Sequence, residues 1–133
     1  MCQKPRVLVV ADQELIREMI GRALGRAGYS CRCAEDGLVA LQAAQERPYD
    51  LILADLTMPI ADVLSFVSSL RCTTWNTSTP VLLISCHEPP QQTRLAQQHS
   101  IQGFLPKPFG LEELLCSVSE ILALVRVRER TGA

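Results

Sequence analysis

Five short runs rich in Val, Ile and Leu alternate along this chain with longer stretches of helical spacing, and that alternation restricts the fold most. The runs lie near residues 6–11, 29–34, 50–54, 80–85 and 101–105. Strands separated by helices need crossover connections, which give a parallel sheet covered on both faces. Runs one, three and four are almost wholly apolar, as central strands are. Run two, Tyr29-Ser30-Cys31-Arg32-Cys33, carries an arginine and reads as an edge. The expected architecture is α/β, a doubly wound five-stranded parallel sheet in the order 2-1-3-4-5.

The helical stretches differ in quality. The first carries the apolar stripe Leu15, Ile16, Met19, Ile20, Ala23, Leu24 and Ala27, with Gly25 and Gly28 marking its end. A second follows Asp36-Gly37 with Ala40, Leu41 and Ala44, and a third shows Leu64, Val67 and Leu70. Pro89-Pro90 can open a fourth, but residues 91–98 offer only Leu95 and Ala96 to bury, so a short, loosely held helix is expected. The last is the clearest, from Leu111 and Leu114 through Val118 and Leu122 to Val125.

At 133 residues the chain fits one domain able to bury a core without staples. No apolar stretch approaches the roughly 20 residues that span a bilayer, and the polar start Met1–Arg6 is no signal peptide. A net charge of −1 gives no nucleic-acid footprint. Six cysteines lack zinc-like spacing, and Cys72, Cys86 and Cys116 sit singly as small core or boundary residues do. Cys31 and Cys33 point to one face of their strand. A reduced, cytoplasmic compartment is expected, without disulfides, membrane insertion or direct nucleic-acid binding.

Charged residues close three of the strands. Asp12 follows Val7–Ala11, Asp55 ends Leu51–Ala54, and Lys107 follows Gly103–Pro106. The order 2-1-3-4-5 brings Asp12 and Asp55 together at the switch point, where open α/β sheets bind ligands. Two adjacent carboxylates repel unless a cation intervenes. Magnesium takes oxygen ligands and is often held by one or two carboxylates plus a phosphate. The Ser85 hydroxyl and the Lys107 ammonium complete a set suited to phosphoryl oxygens, with aspartate as nucleophile. Singly, Asp12 could cap a helix, Asp55 could serve its turn, and Ser85 and Lys107 could be structural or solvated. Their joint placement on four strand ends favours the functional reading.

These residues resemble the response regulator receiver domain of the CheY type, over roughly residues 5–125. The matching pieces are Val7–Asp12, Tyr49–Asp55 with Met58-Pro59 and Asp62, Pro80–Ser85, and Gly103–Phe109. Residues 126–133 would be a helix extension or tail. The resemblance implies the flavodoxin-like (βα)5 fold and a phosphoacceptor at Asp55, served by a histidine kinase or phosphotransfer protein. It implies Mg2+ bound by Asp12, Asp55 and the Thr57 backbone carbonyl. Lys107 would contact the phosphoryl group, Ser85 would hydrogen-bond it, and Ser85 and Phe104 would form the switch. It further implies a cis Lys107–Pro108 bond and output through a partner-binding surface that includes the fourth helix. Such a domain is a switch that assists its own phosphorylation and dephosphorylation, not an enzyme, and its effector and any homodimer are not specified.

The sequence departs from that pattern. Receivers carry two acids after the first strand, and here the first is Ala11, so magnesium should bind more weakly. Glu14 could help through water. Ile60 and Val63 replace glycines common in the loop, and Phe104 lacks a hydroxyl. Thr57 and His87 stand where receivers vary. Ala11 supports one alternative, a phosphorylation-independent pseudo-receiver acting as a protein-interaction module. A flavodoxin-like cofactor binder needs a Gly-, Ser- or Thr-rich first loop, which Ala11-Asp12-Gln13-Glu14 is not.

Overall fold

A computed structural model describes residues 4–55, 60–85, 101, 103–107 and 109–130, with backbone alone for 60–64, 85 and 125–130. The strands are β1 (Arg6–Ala11), β2 (Ser30–Ala34), β3 (Leu51–Asp55), β4 (Val81–Ser85) and β5 (Gly103–Pro106). The helices are α1 (Glu14–Arg26), α2 (Gly37–Glu46), α3 (Ile60–Arg71) and α4 (Leu111–Arg130). All pairings are parallel, in the order β2-β1-β3-β4-β5. The expected fold and strand order are thus observed, with β2 at an edge. The weak helix expected over 91–98 lies outside the described residues.

Period-two alternation divides the strand residues between two cores. Leu8, Val10, Ile52 and Leu83 meet Ala40 and Ala44 of α2 and Phe66, Val67 and Leu70 of α3. Val7, Val9, Leu53 and Ile84 meet Ile20 and Leu24 of α1 and Leu114 and Val118 of α4. Truncating a fully buried leucine such as Leu53 to Ala should cost about 2–5 kcal/mol. Among the described residues no helix is long and apolar enough to cross a membrane.

The helix faces are narrower than the sequence implies. Ile20 and Leu24 are buried and Ile16 partly so, while Leu15 is 80% exposed and Met19 is also outward. Leu111 is likewise exposed, whereas Leu114, Val118, Ile121 and Leu122 are buried. Cys72 and Cys116 are exposed, not core residues, because both fall on the solvent side of their segments. A hydrophobic residue at helical spacing is buried only where a strand lies beneath it.

Local signals fix the helix ends. Asp36 caps α2 by accepting from the Val39 amide at 2.8 Å, a contact worth about 1 kcal/mol. Tyr29 N–H donates to Leu24 O and Gly28 N–H to Gly25 O at the end of α1. That Schellman arrangement needs a left-handed residue, and Gly28 has φ 98°.

At the amino end of the sheet, buried Asn76 ties three segments together. Its side-chain amide donates to Ala44 O and Arg47 O, while its oxygen accepts from Tyr49 N–H and the Thr79 hydroxyl. The end of α2 and the approaches to β3 and β4 are thereby locked. The opposite, carboxyl end is left to the loops that carry the charged residues.

Candidate functional site

The register determines which residues meet at that carboxyl end. Ala11 pairs with Asp55 across β1 and β3, and Asp55 pairs with Ile84 across β3 and β4. Asp55 ends the middle strand and is buried, at 4% exposure. Ser85 pairs with Pro106, so the backbone carries Lys107 just beyond the end of β5. Lys107 Nζ lies 2.7 Å from Asp55 Oδ1, with about a third of the lysine side chain exposed.

That contact is an ion pair at a charge-assisted distance, and no hydrogen bond of good geometry reaches the buried Asp55 Oδ1. A buried carboxylate oxygen with acceptor capacity to spare is costly unless charge offsets it. The Lys107 ammonium supplies that charge. A cleft of about 460 Å³ reaches this pair, lined by Gln13, Ile16, Met19, Asp55, Lys107 and Phe109.

Asp12 follows Ala11, the register partner of Asp55, and is exposed at the start of the loop into α1. Asp12 is not the N-cap residue of that helix. The N-cap is Gln13, whose side chain makes no capping bond. Arg17 fixes the loop instead, donating from Nη1 to the Ala11 carbonyl at 2.9 Å. Phe104 is half-buried, pairs with Leu83 and packs against the core on the α2–α3 side. The Ser85 side chain, Thr57, His87 and the Lys107–Pro108 bond lie outside the described residues.

The described donors at this end are oxygen atoms, as a hard divalent cation requires. Asp55 offers a buried carboxylate, and Asp12 a second carboxylate one position past Ala11, the register partner of Asp55. Among the described residues no group of three or more His, Cys, Asp or Glu side chains could hold an ion. An ion here would take its remaining ligands from backbone and water, which suits magnesium.

Arg17, Ile16 and Gln13 were not singled out as site residues in the sequence. Their i, i+3, i+4 spacing from Gln13 places them on one helix face, a signal that was present. The thiols of β2 stand apart from the site. Burial pushes Cys31 up to about 11, with Cys33 adding to the effect. Cys33 is also raised by burial, against the pull of Arg17.

Residues 7–119 match the response regulator receiver domain family. The chain is 36% identical over 118 residues to the response regulator MprA of Mycobacterium avium, covering 88% of this chain and 50% of that protein. It is 33% identical over 129 residues to MprA of Mycobacterium ulcerans, covering 96% and 54%. The chain therefore spans about half the length of the curated relatives it matches. The crystal structure of chemotaxis response regulator CheY4 of Vibrio cholerae superposes with a TM-score of 0.81 at 32% identity, covering 90% of this chain and 99% of that one. The receiver domain of the Pseudomonas aeruginosa sensor histidine kinase PA1611, solved with magnesium in its active-site cleft, shares the fold at 23% identity and a TM-score of 0.77, covering 91% and 99%. Family match, identity and fold agree, and this chain belongs to the response regulator receiver domain family.

Proposed function

We propose that Asp55 accepts a phosphoryl group from the phosphohistidine of a histidine kinase or phosphotransfer protein, and that the modified domain switches its partner-binding surface. The observation that carries this reading is the buried Asp55 carboxylate at the end of the central strand, paired with Lys107 at 2.7 Å. A carboxylate oxygen attacks phosphorus, the new O–P bond forms, and the P–N bond breaks. The histidine nitrogen leaves with the electron pair and is protonated. Lys107 holds positive charge beside the nucleophile, where the transferred group would carry negative charge.

Asp12, Asp55 and the Thr57 carbonyl would hold Mg2+, which supplies charge neutralisation for the phosphoryl oxygens. The magnesium reported for the PA1611 receiver supports this assignment by analogy. Ser85 would donate a hydrogen bond to the transferred group, and Phe104, half-buried against the core, would be the ring that repacks. The protein assists its own modification without being an enzyme with turnover. A cytoplasmic location belongs to the same reading, motivated by six cysteines without a disulfide pattern.

Ala11, buried opposite Asp55, favours a second reading, a pseudo-receiver that binds partners unmodified. Peptide mapping after treatment with an acyl-phosphate donor separates the two. A hydroxylamine-labile phosphoryl group on the peptide that contains Asp55 supports the switch. A chain left unmodified by both this donor and a phosphorylated histidine kinase supports the pseudo-receiver.

A further inference from the structure

We propose that Arg17 is the positioning residue for the metal carboxylate Asp12, an inference that rests on the reading of Asp12 and Asp55 as magnesium ligands. Arg17 grips both carbonyls that flank Asp12. Its backbone N–H donates to Gln13 O at 3.0 Å, and its guanidinium Nη1 reaches back to Ala11 O at 2.9 Å. Asp12 sits between these two anchored groups. The first anchor is an ordinary helical bond, but the second spans from α1 to the end of β1.

Two features of this chain give that second bond its weight. The N-cap Gln13 makes no side-chain capping bond, so the usual local constraint on such a turn is missing. Ala11 contributes no carboxylate, so the ion would depend on Asp12 and Asp55 for its charged ligands. Asp55 is fixed by its place on the central strand, buried between β1 and β4. Asp12 lies in an exposed turn and depends on what holds that turn. The part-buried Arg17 guanidinium is one side chain that does so.

The positioning role can be separated from charge because the two act in opposite directions. Arg17 is cationic, so a purely electrostatic role means that its removal tightens cation binding. Loss of the anchor lets Asp12 sample unproductive orientations and weakens binding. Groups that orient metal ligands typically contribute about 10–100-fold in affinity.

The test is a Mn2+ titration of the full chain followed by electron paramagnetic resonance, with Mg2+ competition, for wild type, Arg17→Met and Arg17→Lys. Folding is checked from the backbone NMR spectrum. Arg17→Met should bind Mn2+ roughly ten-fold more weakly, and Arg17→Lys, which keeps the charge and one donor, should fall between it and wild type. Equal or tighter binding by Arg17→Met overturns the inference and leaves the metal site standing. If Arg17→Met does not fold, Arg17→Lys decides, with weaker binding supporting the inference and equal or tighter binding overturning it. Wild type that binds no Mn2+ and no Mg2+ overturns the metal reading and the inference together.

Discussion

Ala11 and Asp55 are register partners at the carboxyl ends of β1 and β3, so a methyl group stands opposite the Asp55 carboxylate. Ala11 is buried, at 1% exposure, and the site has one acid fewer than a receiver with two. The nearest fixed charge to Asp55 among the described ion pairs is Lys107. The pair is therefore close to self-neutral before any cation arrives, and Asp12 supplies the remaining negative charge.

Restoring an acid should reverse that balance. Ala11→Asp is expected to tighten Mg2+ binding about ten-fold, one more carboxylate ligand being worth roughly 1.4 kcal/mol or more at an effective dielectric near 20. The same change should lower metal-free stability by about 1–3 kcal/mol, because a new carboxylate is buried beside Asp55. Metal titration and urea unfolding without magnesium check the two halves. Tighter binding without a stability cost would mean that the new side chain turns to solvent.

Lys107→Met removes the charge facing Asp55 Oδ1. With the lysine side chain about a third exposed, the pair is worth on the order of 1 kcal/mol. The variant should lose about that much stability at neutral pH and accept phosphoryl groups far more slowly. Chemical denaturation and phosphorylation rates from an acyl-phosphate donor measure the two effects. An unchanged rate would remove Lys107 from the proposed site.

Asn76→Ala should be severe for folding and silent for chemistry. The substitution leaves Ala44 O, Arg47 O and Tyr49 N–H short of partners inside the protein. A loss of about 3 kcal/mol is expected from these unsatisfied groups. Since the staple sits at the opposite end of the sheet, phosphorylation of the fraction that folds should proceed at the wild-type rate. Thermal unfolding and a phosphorylation time course at low temperature check the pair of outcomes.

Alkaline pH should weaken the fold through β2. The unfolded chain releases a thiol proton near 9.0, whereas folded Cys31 keeps its proton up to about 11 because burial disfavours the thiolate. That contribution is complete below pH 9 and is lost as pH rises from 9 towards 11. Cys33 and Tyr49 are raised by burial too and act in the same sense. Denaturation midpoints should fall over this window, and Cys31→Ser should make the fall shallower.

The sheet order was legible because composition reports burial. Leu51–Ala54 has no polar residue and lies in the middle, while Arg32 marks β2 as an edge. With that order known, two parallel strand ends must be neighbours, and Asp12 and Asp55 follow. Helix faces were less legible. Leu15 and Met19 share the spacing of Ile16 and Ile20 but fall beyond the strip that the sheet covers. Tertiary polar contacts were not legible at all. Nothing near Asn76 or Arg17 in the chain shows that one would bind Ala44 O and the other Ala11 O, since both partners are backbone atoms that every residue has.

The most direct measurement is the intact mass of the protein after incubation with a small acyl-phosphate donor, with and without magnesium, beside Asp55→Asn. A magnesium-dependent gain of one phosphoryl group is expected in the wild type and none in the variant. Gain by Asp55→Asn equal to wild type would contradict Asp55 as the acceptor. No gain by the wild type at high magnesium, repeated with a phosphorylated histidine kinase, would contradict the switch and leave a partner-binding module in its place.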